Sequence, residues 1–191
     1  MQCDQSTLSH AEIEALARRL DRPVVLVGMM GVGKSSVGRK LANLLHLPFI
    51  DADEEIERAA QMSIAEIFEQ FGEDYFRSGE RRVIARLIDG ADHRCIIATG
   101  GGAFVNPETR KLILDRAVVV WLDSDVDTLM ERVGRKDSRP LLRQGDPREI
   151  LTRLRNDRAP FYGEAPIHVK STPGPHSRTV AKVLKGIDAW L

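Results

Sequence analysis

Cysteine is scarce in this chain: Cys3 and Cys95 are the only two in 191 residues, they form no CxxC pair, and they fit no metal-ligand spacing. A dithiol redox motif and a cysteine-bound metal are therefore excluded. Cys95 opens an apolar run and reads as a small core residue. A surplus of one charge is missing too, since Lys+Arg and Asp+Glu both number 28. No overall basic field argues for nucleic acid, so positive charge for an anionic ligand has to be concentrated locally. Long apolar runs are absent. The longest, Val24 to Gly33 with its glycines, is far too short to span a bilayer. Asp4, His10, Glu12 and Glu14 interrupt any signal-peptide core at the N-terminus. Neither an internal repeat nor a low-complexity tract occurs. These absences predict a soluble, cytoplasmic protein with no membrane partner.

What is present suits one globular domain, with 42% hydrophobic, 29% charged and 5% aromatic residues. Residues 9–20, "SHAEIEALARRL", put Ile13, Leu16, Ala17 and Leu20 on one helical face behind a Ser9 cap. Residues 1–22 thus read as an N-terminal helical extension, packed on the domain or offered to a partner, and 23–191 as the domain proper. Five apolar runs predict strands: 24–28, 49–53, 95–99, 118–122 and 167–170. Helical patterns fill the intervals at 34–45, 54–60, 63–71, 73–89, 107–114, 124–134, 147–159 and 177–190. Alternating strands and helices, with nearly continuous β-branched strands, predict an α/β fold whose parallel sheet is covered on both faces. Two stretches read as loops: 134–147, "GRKDSRPLLRQGDP", a basic candidate lid, and 171–177, "STPGPHS".

The most specific local signal is Gly28-Met29-Met30-Gly31-Val32-Gly33-Lys34-Ser35, which matches GxxxxGK[ST] between a strand and a helix. Such a loop turns successive backbone N–H groups inward around phosphate oxygens at a helix N-terminus. Gly31, Val32, Gly33, Lys34, Ser35 and Ser36 are therefore the expected nucleotide-binding residues, with Lys34 on the β- and γ-phosphates and Ser35 on Mg²⁺. Many P-loop proteins end a further strand in a metal-anchoring acid. Here the third strand runs into Thr99 and glycines, and the acids follow the second strand instead, in "FIDAD". Strand alternation is expected to set Asp51 and Asp53 on one side, one for the metal and one for an acceptor hydroxyl. The alternative is that Asp53 merely caps the next helix.

Gly100-Gly101-Gly102 directly after a strand is conformationally costly and points to close backbone approach to a ligand. Arg77 has Glu80 three residues on, a spacing that lets the carboxylate brace the guanidinium while its fork binds a carboxylate. Arg158 lies where Pro160 is expected to end a helix, and Arg139 lies in the candidate lid, able to close over a transferring phosphoryl group. Taken singly, each arginine is better explained by structure than by function.

In order, "GMMGVGKSS", "DAD", "FRSGE", "TGGGA", "RPLL" and "RAPFY" resemble the shikimate kinases over roughly Arg22 to Leu191. The resemblance implies a nucleoside monophosphate kinase-like, three-layer fold, with a five-stranded parallel sheet in order 2-3-1-4-5, a substrate-binding helical insert (about 54–90) and a mobile lid (about 134–147). It implies transfer of the γ-phosphoryl group of ATP to the 3-hydroxyl of shikimate, with Mg²⁺, in aromatic amino-acid biosynthesis. By the same resemblance Ser35 binds Mg²⁺ and Asp51 supports it. Asp53 orients or deprotonates the hydroxyl, Arg77 and Arg158 clamp the shikimate carboxylate, and Glu80 braces Arg77. Gly101 offers its N–H to the substrate between Gly100 and Gly102, Arg139 reaches the ATP phosphates, and Arg132 stacks near adenine. Lys34, Asp53 and Arg139 are then the catalytic set. ATP and shikimate are the expected partners of a monomer, with no nucleic acid. The rival acceptors are gluconate or a nucleoside monophosphate. A GTPase switch lacks its DxxG and NKxD strings, and a binding module without catalysis has no use for Lys34, Ser35, Asp51 and Asp53 together.

Overall fold

Val24–Val27, four apolar residues all shielded from solvent, form strand β1 at the centre of a five-stranded sheet in the order β2-β3-β1-β4-β5. The other strands are β2 (Phe49–Asp51), β3 (Ile96–Ala98), β4 (Val118–Asp123) and β5 (Ile167–Lys170). Every pairing is parallel, with Val24 opposite Ile96 on one side and Val118 on the other. Strands buried on both faces need continuous apolar character, which explains why β1, β3 and β4 do not alternate, whereas the edge strand β5 does, with His168 and Lys170 exposed. This computed structural model describes residues 8–90, 94–133 and 145–191.

Parallel strands bring all their C-terminal ends to one edge, so the segments after them form one neighbourhood. The chain changes direction across the sheet beside β1, the switch point where α/β proteins place ligands. The helices are α1 (His10–Arg19), α2 (Lys34–Leu45), α3 (Ala52–Ala60), α4 (Ile64–Ile88), α5 (Pro107–Arg116), α6 (Val126–Val133), α7 (Pro147–Tyr162) and α8 (His176–Trp190), with a 3₁₀ turn at Ala103–Val105.

The α1 helix begins with a capping box: Ser9 Oγ accepts from the Glu12 N–H, and the Ser9 N–H donates to Glu12 Oε2 at 2.7 Å. Leu16 and Leu20 on its inner face belong to the main core, and Arg19 reaches Asp188 on α8 at 2.6 Å. The predicted break between helices at residues 71 and 73 is present: Gly72 interrupts α4 with φ 78° and ψ 179°, a conformation open only to glycine. The segment beyond it carries Arg77 and Glu80. A small second core of Ile56, Ile67, Phe76 and Val83 joins α3 to α4 apart from the main one.

Two local expectations are corrected. β2 ends at Asp51, and α3 begins at Ala52, before the expected residue 54. Strand alternation therefore does not relate Asp51 to Asp53. Asp51 is the helix cap, its Oδ1 accepting the Asp53 N–H at 3.1 Å, and Asp53 lies in the first helical turn. Likewise α7 does not stop before Pro160 but runs through it to Tyr162. Proline withdraws one hydrogen bond there, and the burial of Tyr162 together with the Gly163 N–H to Ala159 O bond at 2.9 Å sustains the last turn.

Candidate active site

The loop after β1 is built for an anion. Gly31 and Gly33 take positive φ (79° and 100°), and Gly33 caps the N-terminus of α2, where the helix dipole favours negative charge. Lys34 lies folded against its own loop, Nζ donating to Gly28 O at 2.8 Å and Met29 O at 2.9 Å. Ser35 Oγ donates to Asp51 Oδ2 at 2.7 Å, which brings the first turn of α2 to the end of β2. A hydroxyl and a carboxylate are hard oxygen donors, the set that suits Mg²⁺ when phosphates and water complete its shell. The end of β3 holds the sheet instead: the Thr99 N–H and Oγ1 both donate to Leu26 O, at 3.3 and 3.1 Å.

The three glycines form a floor, and each one lies beneath a different member of the site. A Cβ added to Gly100 would stand 2.9 Å from Asp53 Oδ1 and 3.0 Å from Glu80 Oε1. One added to Gly101 would stand 3.3 Å from Arg158 Nη1 and from the Met30 backbone nitrogen of the P-loop. One added to Gly102 would fall 2.4 Å from Arg77 Nη2. The glycines are thus explained by the close approach of side chains. Residues from four stretches far apart in sequence (53, 77–80, 100–102 and 158) meet at this floor beside the phosphate loop.

Glu80 braces Arg77 as the spacing predicts, Oε2 accepting from Arg77 Nη1 at 2.7 Å, while Glu73 takes Arg77 Nη2 at 3.2 Å. Burial works to lower the Arg77 pKa, but the two carboxylates more than offset it, and the net direction is upward. Glu80 is 2% exposed, and its Oε1 has no hydrogen-bond partner among the described residues. Burial pushes its carboxyl above the ordinary 4.5; Arg77 opposes this and the Asp53 charge adds to it.

A group whose folded pKa is raised stabilises fully below its unfolded value and loses that contribution as pH rises through the folded value. The wild-type protein is therefore expected to lose stability relative to Glu80→Gln from pH 4.5 upward, until the folded pKa is passed. The slope is at most about 1.4 kcal/mol per pH unit. Melting temperatures of both proteins from about pH 4 to 8 test this; a difference that stays constant across the range contradicts it.

On the other side of the loop, Arg132 Nη1 donates to Val32 O at 2.8 Å and Ser171 Oγ at 3.0 Å, and Nη2 to Thr172 O at 3.0 Å. It ties the phosphate loop to the segment after β5. His176 packs there as well, its Cε1 2.9 Å from where a Gly33 Cβ would stand. Burial, then Arg132 and Lys40, holds the His176 imidazole below its usual pKa. Sequence patterns gave no sign of either contact, because each joins the phosphate loop to a helix remote in the chain, Val32 to Arg132 on α6 across 100 positions and Gly33 to His176 at the start of α8. Arg139 and the candidate lid through residue 144 lie outside the described residues.

The site contact that sequence reading missed is Tyr162, whose hydroxyl donates to Gly101 O. "RAPFY" contains it four residues after Arg158, one helical turn, but the expected stop at Pro160 concealed that spacing.

Comparisons with known proteins bear on family and fold. The family model described as shikimate kinase matches residues 30–188. The chain belongs to the shikimate kinase family. A shikimate kinase of Novosphingobium aromaticivorans is 63% identical across the whole of both chains. One from Caulobacter vibrioides is 57% identical over 87% of this chain and 82% of its own. Among solved structures, shikimate kinase from Acinetobacter baumannii in complex with shikimate has a TM-score of 0.84 at 35% identity, covering 95% of this chain and 98% of its own. A gluconokinase from Sinorhizobium meliloti, at 21% identity and TM-score 0.60, shares the fold alone. The five-stranded order seen here is thus that of a shikimate kinase with the P-loop fold.

Proposed function

We infer that this chain transfers the γ-phosphoryl group of ATP to the 3-hydroxyl of shikimate, giving shikimate 3-phosphate and ADP. The observation that carries this is the convergence of Asp53, Glu80-braced Arg77 and Arg158 on the glycine floor, directly beside the phosphate loop. A carboxylic acid bearing hydroxyls has over that floor two guanidinium forks for its carboxylate and one aspartate for a hydroxyl.

In this reading the backbone N–H groups of Gly31, Val32 and Gly33, with Lys34, Ser35 and Ser36, hold the ATP phosphates. Lys34 has to leave the Gly28 and Met29 carbonyls to do so. Ser35 and Asp51 would hold Mg²⁺, which supplies charge neutralisation on the phosphates. Asp53 orients the acceptor hydroxyl and accepts its proton. Arg77 and Arg158 fix the carboxylate, so the hydroxyl faces the phosphate loop in line. The Gly101 N–H, flanked by Gly100 and Gly102, contacts the ring substituents. Arg132, between the loop and Thr172, lines the adenine side. The α3–α4 segment with its own small core forms the substrate-binding insert, 54–90, within a 23–191 kinase domain; the 1–22 extension adds Leu16 and Leu20 to the main core. Among the described residues no helix is long and apolar enough to cross a membrane, which supports a cytoplasmic setting.

An ADP-release assay over a panel of acceptors tests the reading. Release is expected with shikimate and not with gluconate or nucleoside monophosphates; gluconate turnover without shikimate turnover overturns it.

A further inference from the structure

Three consecutive glycines solve the problem of close approach and create another, since glycine is the residue with the most backbone freedom to lose. A floor that presents N–H groups to a ligand has to be held in one conformation. Two of its carbonyls are held by short turns: Gly100 O accepts the Ala103 N–H at 3.3 Å, and Gly102 O accepts the Val105 N–H at 3.1 Å. The middle one, Gly101 O, is held by a side chain from another element, the hydroxyl of Tyr162 on α7.

We propose that Tyr162 is a positioning residue for the acceptor site, its hydroxyl fixing the middle of the glycine floor and the Arg158 guanidinium in one arrangement. The proposal rests on the carboxylate-clamp reading above. Tyr162 is 1% exposed, with its ring 5.9 Å from that of Trp121, centroid to centroid. The phenol and Arg158 meet at the same glycine: the Tyr162 hydroxyl donates to the Gly101 carbonyl, and Arg158 Nη1 lies 3.3 Å from where a Gly101 Cβ would stand. Floor carbonyl, phenol and guanidinium thus converge in one arrangement at Gly101. Its geometry depends on α7 remaining helical through Pro160, which sets Arg158 and Tyr162 one turn apart on the same face.

A separate latch holds the end of α7 without the phenol. Arg110 Nη1 donates to Phe104 O and Val105 O at 3.2 and 2.9 Å, its Nε meets Glu164 at 3.1 Å, and its guanidinium lies 4.9 Å from the Phe161 ring centre. Removing the hydroxyl therefore frees the floor and Arg158 while α7 stays docked and the ring still fills the core.

The test is Tyr162→Phe, with KM and kcat measured for each substrate beside the melting temperature. The expected result is a rise of about tenfold in the KM for shikimate, consistent with losing one buried hydrogen bond near a charge. The KM for ATP is expected to stay within about twofold and kcat to change less than the shikimate KM. In a double-mutant cycle with Arg158→Lys, the combined effect on shikimate KM is expected to be smaller than the product of the single effects. Trp121→Phe, which disturbs the ring packing alone, is expected to lower the melting temperature without moving the shikimate KM. A shikimate KM within about twofold of wild type in Tyr162→Phe, or equal rises for both substrates, overturns the proposal. If Arg158→Lys and Arg77→Ala also leave the shikimate KM unchanged, the carboxylate clamp itself fails, which is a different outcome.

Discussion

Asp53→Ala is expected to fold, to keep its affinity for ATP, and to turn over about 10²–10⁴ times more slowly than wild type. The expectation follows from where the carboxylate is held. Asp53 sits in the first turn of α3, its backbone tied to Asp51, and its Oδ1 lies against Gly100 on the floor where the acceptor is placed. In the proposed reaction this is the group that orients the attacking hydroxyl and takes its proton. Phosphoryl transfer asks the protein chiefly for positioning and charge neutralisation, so loss of the orienting group falls on kcat. Folding is expected to survive, because the Asp53 charge acts against the buried Glu80 carboxyl and its removal relieves that repulsion. The proposed Mg²⁺ ligands Ser35 and Asp51 are untouched by the substitution. Steady-state kinetics with saturating ATP and shikimate measure the effect, and a kcat within tenfold of wild type removes Asp53 from the catalytic role.

Arg77→Ala carries the second large effect, on affinity for the acceptor. Its guanidinium presses on Gly102 and is shared by Glu73 and Glu80. Truncating one member of a buried, hydrogen-bonded charge pair costs about 2–5 kcal/mol, so the shikimate Kd is expected to rise by roughly 30-fold to several thousandfold. The ATP Kd is expected to hold. A separate cost falls on stability, because Glu80 is left buried with its cation gone. Pairing Arg77→Ala with Glu80→Gln removes the stranded carboxyl: stability is expected to recover and shikimate affinity is not. Calorimetric titration of both variants separates the two effects. Unchanged shikimate affinity in Arg77→Ala would refute the clamp.

What could be read locally was read well. The glycine-rich loop announces itself because its function depends on a contiguous string, and Lys34, Ser35 and the start of α2 are where that string puts them. The split of α4 at Gly72 and the Arg77–Glu80 pair are events within four residues, so helical spacing reveals them. Two local patterns mislead. β2 ends at Asp51 rather than at residue 53 because the Asp51 side chain caps α3. Pro160 fails to end α7 because the turn beyond it carries Tyr162 into the core.

By itself, then, the sequence determined the parallel α/β class and the phosphate loop, because each depends on periodicity or on a short contiguous motif. The order 2-3-1-4-5 and the acceptor roles came from resemblance to a family rather than from any spacing. Only the tertiary structure decided that Asp53, Arg77, Glu80 and Arg158 face one glycine floor, and that Tyr162 joins them there. The reason is that a parallel register gathers the C-terminal ends of all five strands at a single edge. Residues from remote parts of the chain become neighbours at that edge through packing, and packing leaves no period in the sequence.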